Sequence, residues 1–295
     1  MNRRTVLLGA TTVLAVALAL FLPAMPQPLD YHDFADRRAA YGIANFLDVV
    51  SNLVFATVGA AGLAIVVRPR SCFERPVERW PYAVFAVGVL LTAAGSCYYH
   101  LEPDNEALFW DRLPMTIAFM SLIAAQIVDR VHVRAGVLAL VPMLLVGVGS
   151  VVYWIATERE GRGNVVPYAV LQAYSVLVLL QLAAFHPSRY THGNSIFAVF
   201  AGYLLAKGFE HFDREILQLT GAVSGHTLKH VVAGLSGLPV VWMLWRREPV
   251  ASDGAPPMRG LVDLYQRPVP EHGSRVYNAG STRERGALTM ESDRR

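Results

Sequence analysis

The chain has 295 residues, 54% of them hydrophobic and only 17% charged, a balance that a soluble domain of this length rarely shows. Its formal net charge of +3 is too small to argue for nucleic acid, and most of the arginine lies in short loops and at the C-terminus, where it speaks to membrane orientation. The only cysteines, Cys72 and Cys97, fall at opposite ends of one apolar block, which argues against a disulfide between them.

Eight apolar blocks follow one another, over residues 5–25, 45–67, 80–99, 108–128, 135–156, 165–185, 195–211 and 226–245. Each is near the ~20 residues that a spanning helix needs, and none alternates with period two. The expected fold class is therefore all-α, a polytopic bundle of membrane helices. The first block follows Arg3 and Arg4 and reads as either a cleaved signal peptide or a retained signal-anchor helix, and its length favours the anchor. Residues 1–27 are thus set apart from a membrane domain over 28–247. Residues 248–295, rich in Arg, Glu, Gly, Pro and Ser, read as a flexible polar tail. The sequence shows no internal repeat.

With Arg3 and Arg4 inside, the inner loops hold Arg68, Arg70, Arg75 and Arg79, then Arg130 and Arg134, then Arg189, then Arg246 and Arg247. The opposite loops, residues 30–45, 101–107, 157–164 and 212–225, are acidic or mixed. The alternation follows the positive-inside rule, and all five tryptophans fall near block ends, where interfacial tryptophans belong. The arginine-heavy composition, with Lys207 and Lys229 the only lysines, points to a bacterial inner membrane.

Polar groups in spanning helices are costly and often functional. Three clusters fall at the outer ends of their blocks. Ser96-Cys-Tyr-Tyr-His100 closes the third block, Asp111 opens the next within Phe109-Trp-Asp-Arg-Leu-Pro-Met115, and His226-Thr-Leu-Lys-His230 opens the last. Residues four apart share a helix face, so His226 and His230 can turn toward one metal ion. With His100 they make a His₃ set with an open fourth position, the arrangement of catalytic zinc sites, where a bound water has a pKa of about 7. Asp111 is placed to take a proton from such a water or to orient a ligand, and Ser96 to donate to a developing oxyanion. Singly, each has a plainer reading: interfacial histidines, an aspartate complementing a helix dipole, a serine packing one helix on another. What joins them is the topology, which places all three clusters on one face.

In this order and spacing the motifs resemble the alkaline ceramidases, within the seven-helix membrane hydrolases that include adiponectin-receptor-like proteins. The stretch Asn45-Phe-Leu-Asp-Val-Val-Ser-Asn-Leu-Val-Phe55 resembles that family's first helix, and the likeness spans about residues 30–245. The resemblance implies a seven-helix core, here with one added N-terminal helix. It implies zinc on His100, His226 and His230, Asp111 as the acid/base residue, Ser96 as its polar partner, and hydrolysis of the ceramide amide. Some members also hold calcium near the N-terminus, and here Asp33, Asp36 and Asn45 fall in the corresponding stretch, although Arg38 and Asn45 replace expected ligands. The same residues read equally as a solvated loop with a helix cap at Asn45. Lys207 and Glu210, three apart, read as either a functional pair or a local neutralising one.

The expected function is a zinc-dependent hydrolase that cleaves a lipid amide, ceramide or another N-acyl lipid, drawn laterally from membrane lipids at the non-cytoplasmic face. The alternative is a zinc-containing seven-helix receptor or lipid-binding membrane protein. A transporter is disfavoured, because no paired Gly/Pro-interrupted helices occupy matching halves.

Overall fold

A computed structural model describes residues 3–68 and 72–250. Arg70 of the arginine loop, and the expected tail from residue 251 onward, lie outside the described residues. Among the described residues the fold is all-α, and seven helical segments are long and apolar enough to cross a membrane. The chain is a multi-pass membrane helix bundle.

The first span, α1 (Arg3–Phe21), packs along α7 (Val166–Phe185). Two polar links join them: Gln181 Nε2 donates to Thr11 Oγ1 at 2.8 Å, and the Thr12 and Tyr174 hydroxyls lie 3.2 Å apart. The second span is broken into α2 (Phe46–Val50) and α3 (Leu53–Val66), and the sequence explains the break. Ser51 Oγ donates to the Asp48 carbonyl at 3.0 Å and Asn52 Nδ2 donates to the same oxygen at 2.7 Å. Side chains thus replace the helical N–H that this carbonyl would otherwise receive.

The centre of the bundle is α4 (Arg79–Leu101) against α5 (Asn105–Arg130), with α6 (Val133–Arg159) beyond. Pro114 lies within α5 and carries no N–H for the carbonyl of Trp110, four residues earlier. Gly95 of α4 packs directly on that carbonyl oxygen, an approach that any Cβ would block. This contact brings the turn holding Ser96 onto the turn holding Asp111.

The seventh apolar block forms α8 (Ser195–His211), a helix of 17 residues at the short limit for a span. After it the structure departs from the expected loop. Asp213–Thr220 forms a helix, α9, opened by Asp213 and Glu215 at its positive end and stopped by Gly221 in the left-handed region at φ 65°. The last span is α10 (Gly225–Leu235) and α11 (Leu238–Arg246), interrupted at Ser236–Gly237. The expected tail also begins later than residue 248. Thr191 N donates to the Glu248 carbonyl and Val250 N to the Arg189 carbonyl, so residues 248–250 pair with the loop before α8.

Candidate metal centre

Two helix ends deliver the three histidines. His100 lies in the last turn of α4, and Asn45 Nδ2 donates to its backbone carbonyl at 2.8 Å, satisfying one of the orphan acceptors of that helix end. His226 and His230 occupy the first turns of α10. Ser224 caps that helix, its Oγ accepting the Thr227 N–H at 3.0 Å. One Asp213 oxygen accepts the His226 backbone N–H at 2.7 Å, and the other accepts Ala35 N–H at 2.9 Å. The start of α10 is thereby fixed to both α9 and the N-terminal loop.

The i, i+4 spacing in α10 puts the His226 and His230 ring centroids 4.7 Å apart, with that of His100 4.9 Å from the first and 4.7 Å from the second. One potential ligand atom from each residue lies within 4.8 Å of the others, and all three residues are buried. Among the described residues this is the one group of three or more His, Cys, Asp or Glu so placed.

The donor set fits a metal ion. His100 Nδ1 and His226 Nε2 are buried without a hydrogen-bond partner, although buried polar atoms are nearly always satisfied. His230 Nδ1 lies 3.1 Å from the Asp48 carbonyl and 2.9 Å from Ser51 Oγ. A carbonyl only accepts, so Nδ1 carries the proton and Nε2 keeps the lone pair for a metal. The break between α2 and α3 therefore has a use: it frees the Asp48 carbonyl and presents it, with Ser51, to the ring of His230.

Asp111 is half-buried, and the Ser96 side chain, one turn before His100, engages its carboxylate. Asp111 also feels Lys229 and Glu210 electrostatically. Lys229 Nζ lies 2.7 Å from Glu210 Oε1, while Glu210 Oε2 pairs with Lys207. The local Lys207–Glu210 pair read from the sequence is real, but it is half of a three-member group that reaches the metal centre. Arg112, next in sequence to Asp111, turns away. Its Nη2 donates to Gln27 Oε1 at 2.7 Å, and its guanidinium lies over the Trp154 and Tyr168 rings.

The residues expected to hold calcium have protein partners in the structure. Asp33 pairs with Arg37 and Arg214. Asp36 accepts from Arg38 Nε at 2.8 Å and Nη2 at 2.7 Å, and Asn45 turns to His100. The guanidinium of Arg38 also donates to the Ala222 carbonyl at 2.5 Å. The hydrogen bond from Arg38 holds the Asp36 carboxyl below the ordinary carboxylate range.

Two residues of the centre, Phe34 and Asp48, were not singled out from the sequence. Phe34 packs its ring 4.5 Å from those of both His100 and His226 and closes the triad from the N-terminal loop. Asp48 is fully buried, and its Oδ1 accepts the Thr227 hydroxyl at 2.5 Å. An acid within an apolar block was a signal that could have found it. Asp213 and Lys229 complete the centre. Beside Phe34 and His226 a cavity of about 400 Å³ opens among Tyr31, Glu210, Asp213 and Arg214. Neither comparison with protein-family models nor comparison with curated proteins finds a match.

Proposed function

We propose that the chain is a zinc-dependent hydrolase that cleaves the amide bond of ceramide or a related N-acyl lipid at the membrane surface. The observation that carries this reading is the buried triad of His100, His226 and His230, with two unpartnered ring nitrogens, and with Ser96, one helical turn before His100, engaging Asp111. Three neutral imidazoles and no thiolate suit zinc. The likeness of the motifs to the alkaline ceramidases supports both the metal and the substrate class. When bound, zinc supplies Lewis-acid chemistry, polarising a carbonyl and acidifying water.

The chain's own residues supply the rest. The Asp48 carbonyl and Ser51 hold the His230 ring with Nε2 facing the triad. Asp111 takes up the proton of the attacking water at a carboxylate oxygen and delivers it to the nitrogen of the leaving amine. Ser96 orients that carboxylate. Glu210 balances the Lys229 ammonium, so that the centre does not carry a bare cation beside its ligands. Phe34 keeps water away from the histidines, and the neighbouring cavity gives a polar headgroup a place while the acyl chain stays among lipid. The arginines gathered at the other end of the bundle support a non-cytoplasmic centre in a bacterial inner membrane.

The test is release of fatty acid from a panel of lipid amides, ceramide and N-acyl amino acids included, by purified protein of measured zinc content. Turnover that follows zinc content through chelation and reloading is expected. A zinc-loaded protein inert toward every amide would favour a receptor or lipid-binding role instead.

A further inference from the structure

At the end of the bundle opposite the metal centre, a cavity of about 720 Å³ opens where the start of α1, the ends of α5 and α7 and the start of α8 meet. Arg4, Arg130, His186, Ser188, His192 and Asn194 supply its polar lining, and among the described residues no carboxylate lines it. Arg130 is the informative residue. It is only 7% exposed. Its Nε donates to Gln126 Oε1 at 2.7 Å, Nη1 to the His186 carbonyl at 2.7 Å, and Nη2 to the Gly193 carbonyl at 2.6 Å. Every one of these acceptors is neutral. The neighbouring acid, Asp129, is committed to Arg247 at 2.8 Å and to the Tyr82 hydroxyl at 2.6 Å.

A buried guanidinium whose hydrogen-bond acceptors are all neutral is costly, and an anion in the adjoining space would offset that cost. Two further features favour an anion there. Asn194, the cap residue of α8, lines the cavity and makes no side-chain cap bond. Arg4 brings a second guanidinium from α1. Basic pockets between spanning helices, at the level of the headgroups, are where anionic lipids are held.

We propose that this cavity binds the phosphate group of an anionic ligand, either the headgroup of an acidic phospholipid or free phosphate, with Arg4 and Arg130 as its cations and the Asn194 side chain as a third donor. The site is separate from the metal centre and does not depend on the proposed reaction.

The experiment uses the full-length protein in neutral detergent. It is titrated with short-chain phosphatidylglycerol, with matched phosphatidylcholine and with inorganic phosphate, while bound ligand is counted by native mass spectrometry and Tm is read in parallel. Because Arg130 also ties down loop carbonyls, the variants are Arg4→Gln, on the exposed first turn of α1, and His192→Asn, at a left-handed position (φ 61°) that asparagine tolerates. One phosphatidylglycerol per chain is expected, with a raised Tm, no such effect of phosphatidylcholine, and roughly fivefold weaker binding in Arg4→Gln. Protection by inorganic phosphate alone would assign the site to a free anion, and a preference for the lipid would assign it to a headgroup. Either result upholds an anion site. Equal retention of the two lipids, or anion binding unchanged in the Arg4→Gln/His192→Asn double variant, would overturn it.

Discussion

The Lys229 ammonium lies 2.7 Å from a Glu210 carboxylate oxygen and so joins α10 to α8 beside the three histidines. Lys229 stands between two candidate ligands in the chain, and an ammonium there repels any divalent ion. Glu210 removes that repulsion. Replacing it with glutamine leaves a bare cation at the centre, and Coulomb's law in a partly buried setting makes the loss of zinc affinity roughly tenfold or more. Competition with a chromophoric chelator measures it. The double variant Glu210→Gln/Lys229→Met should recover most of the loss, because it removes the charge that Glu210 balances. No recovery would mean that Glu210 acts through the packing of α8 on α10 rather than through charge.

The ring of His230 is aimed by groups on the broken second span. Ser51→Ala removes the hydroxyl 2.9 Å from Nδ1 and leaves only the Asp48 carbonyl to hold the proton there. Partners of this kind are commonly worth ~10–100-fold in metal affinity. A fall near the lower end of that range is expected, since one acceptor remains. Thr57→Ala, which removes an exposed hydroxyl bonded to the Leu53 carbonyl on α3, is the control and should leave zinc binding unchanged. Equal affinity in wild type and Ser51→Ala would show that the carbonyl alone sets the tautomer.

These two relationships mark where the sequence was informative and where it was not. The apolar blocks and the pair His226-x-x-x-His230 are local patterns, and a period of 3.6 residues turns them directly into spans and a shared helix face. The convergence of His100 on that pair followed from the count of membrane crossings. Phe34 was not legible, nor was the bond between Ala35 and Asp213, because the partners lie far away in the chain: those two residues are 178 apart, and nothing local announces the contact. The stretch read for calcium is local by contrast: Arg37 and Arg38 lie within a few residues of Asp33 and Asp36 and pair with those carboxylates. The helix Asp213–Thr220 was missed because eight residues rich in polar side chains carry no apolar block to read.

Acid should weaken the N-terminal loop through His32. Its Nδ1 lies 2.9 Å from the Tyr99 hydroxyl and its Nε2 3.1 Å from Asn105 Oδ1, and burial lowers its pKa below the ordinary 6.5. The folded loop therefore holds a neutral ring, while the unfolded chain takes up a proton as pH falls through about 6.5. The stabilisation is complete above that value and is lost as pH falls from it toward the folded-state pKa. Tm measured on metal-free protein between pH 7.5 and 5 should fall (roughly the window where histidine titrates), and His32→Gln should flatten part of that slope. Identical slopes in the two proteins would remove His32 from the account.

The decisive variant for the proposed chemistry is Asp111→Asn. It keeps size and polarity, keeps a partner for Ser96, and removes the proton acceptor. The close packing of Gly95 on the Trp110 carbonyl holds this turn of α5 in place whatever residue 111 is, so the fold should survive. Zinc content should also survive, because residue 111 is not among the three clustered ligands. Turnover of a lipid amide should fall by roughly 10²–10⁴-fold, the usual share of general acid–base catalysis. Ser96→Ala, which only loosens the carboxylate, should cost less, about 10²-fold at most. Loss of zinc in Asp111→Asn would make the residue an anchor for the metal centre instead. Full zinc and full activity would send the proton elsewhere, and the neighbouring acids offer poor substitutes. Glu210 is engaged by two lysines, and Asp213 spends both oxygens on backbone N–H groups. An acid bound in that way cannot take a proton without giving up a partner, which is why the geometry favours Asp111 for the transfer.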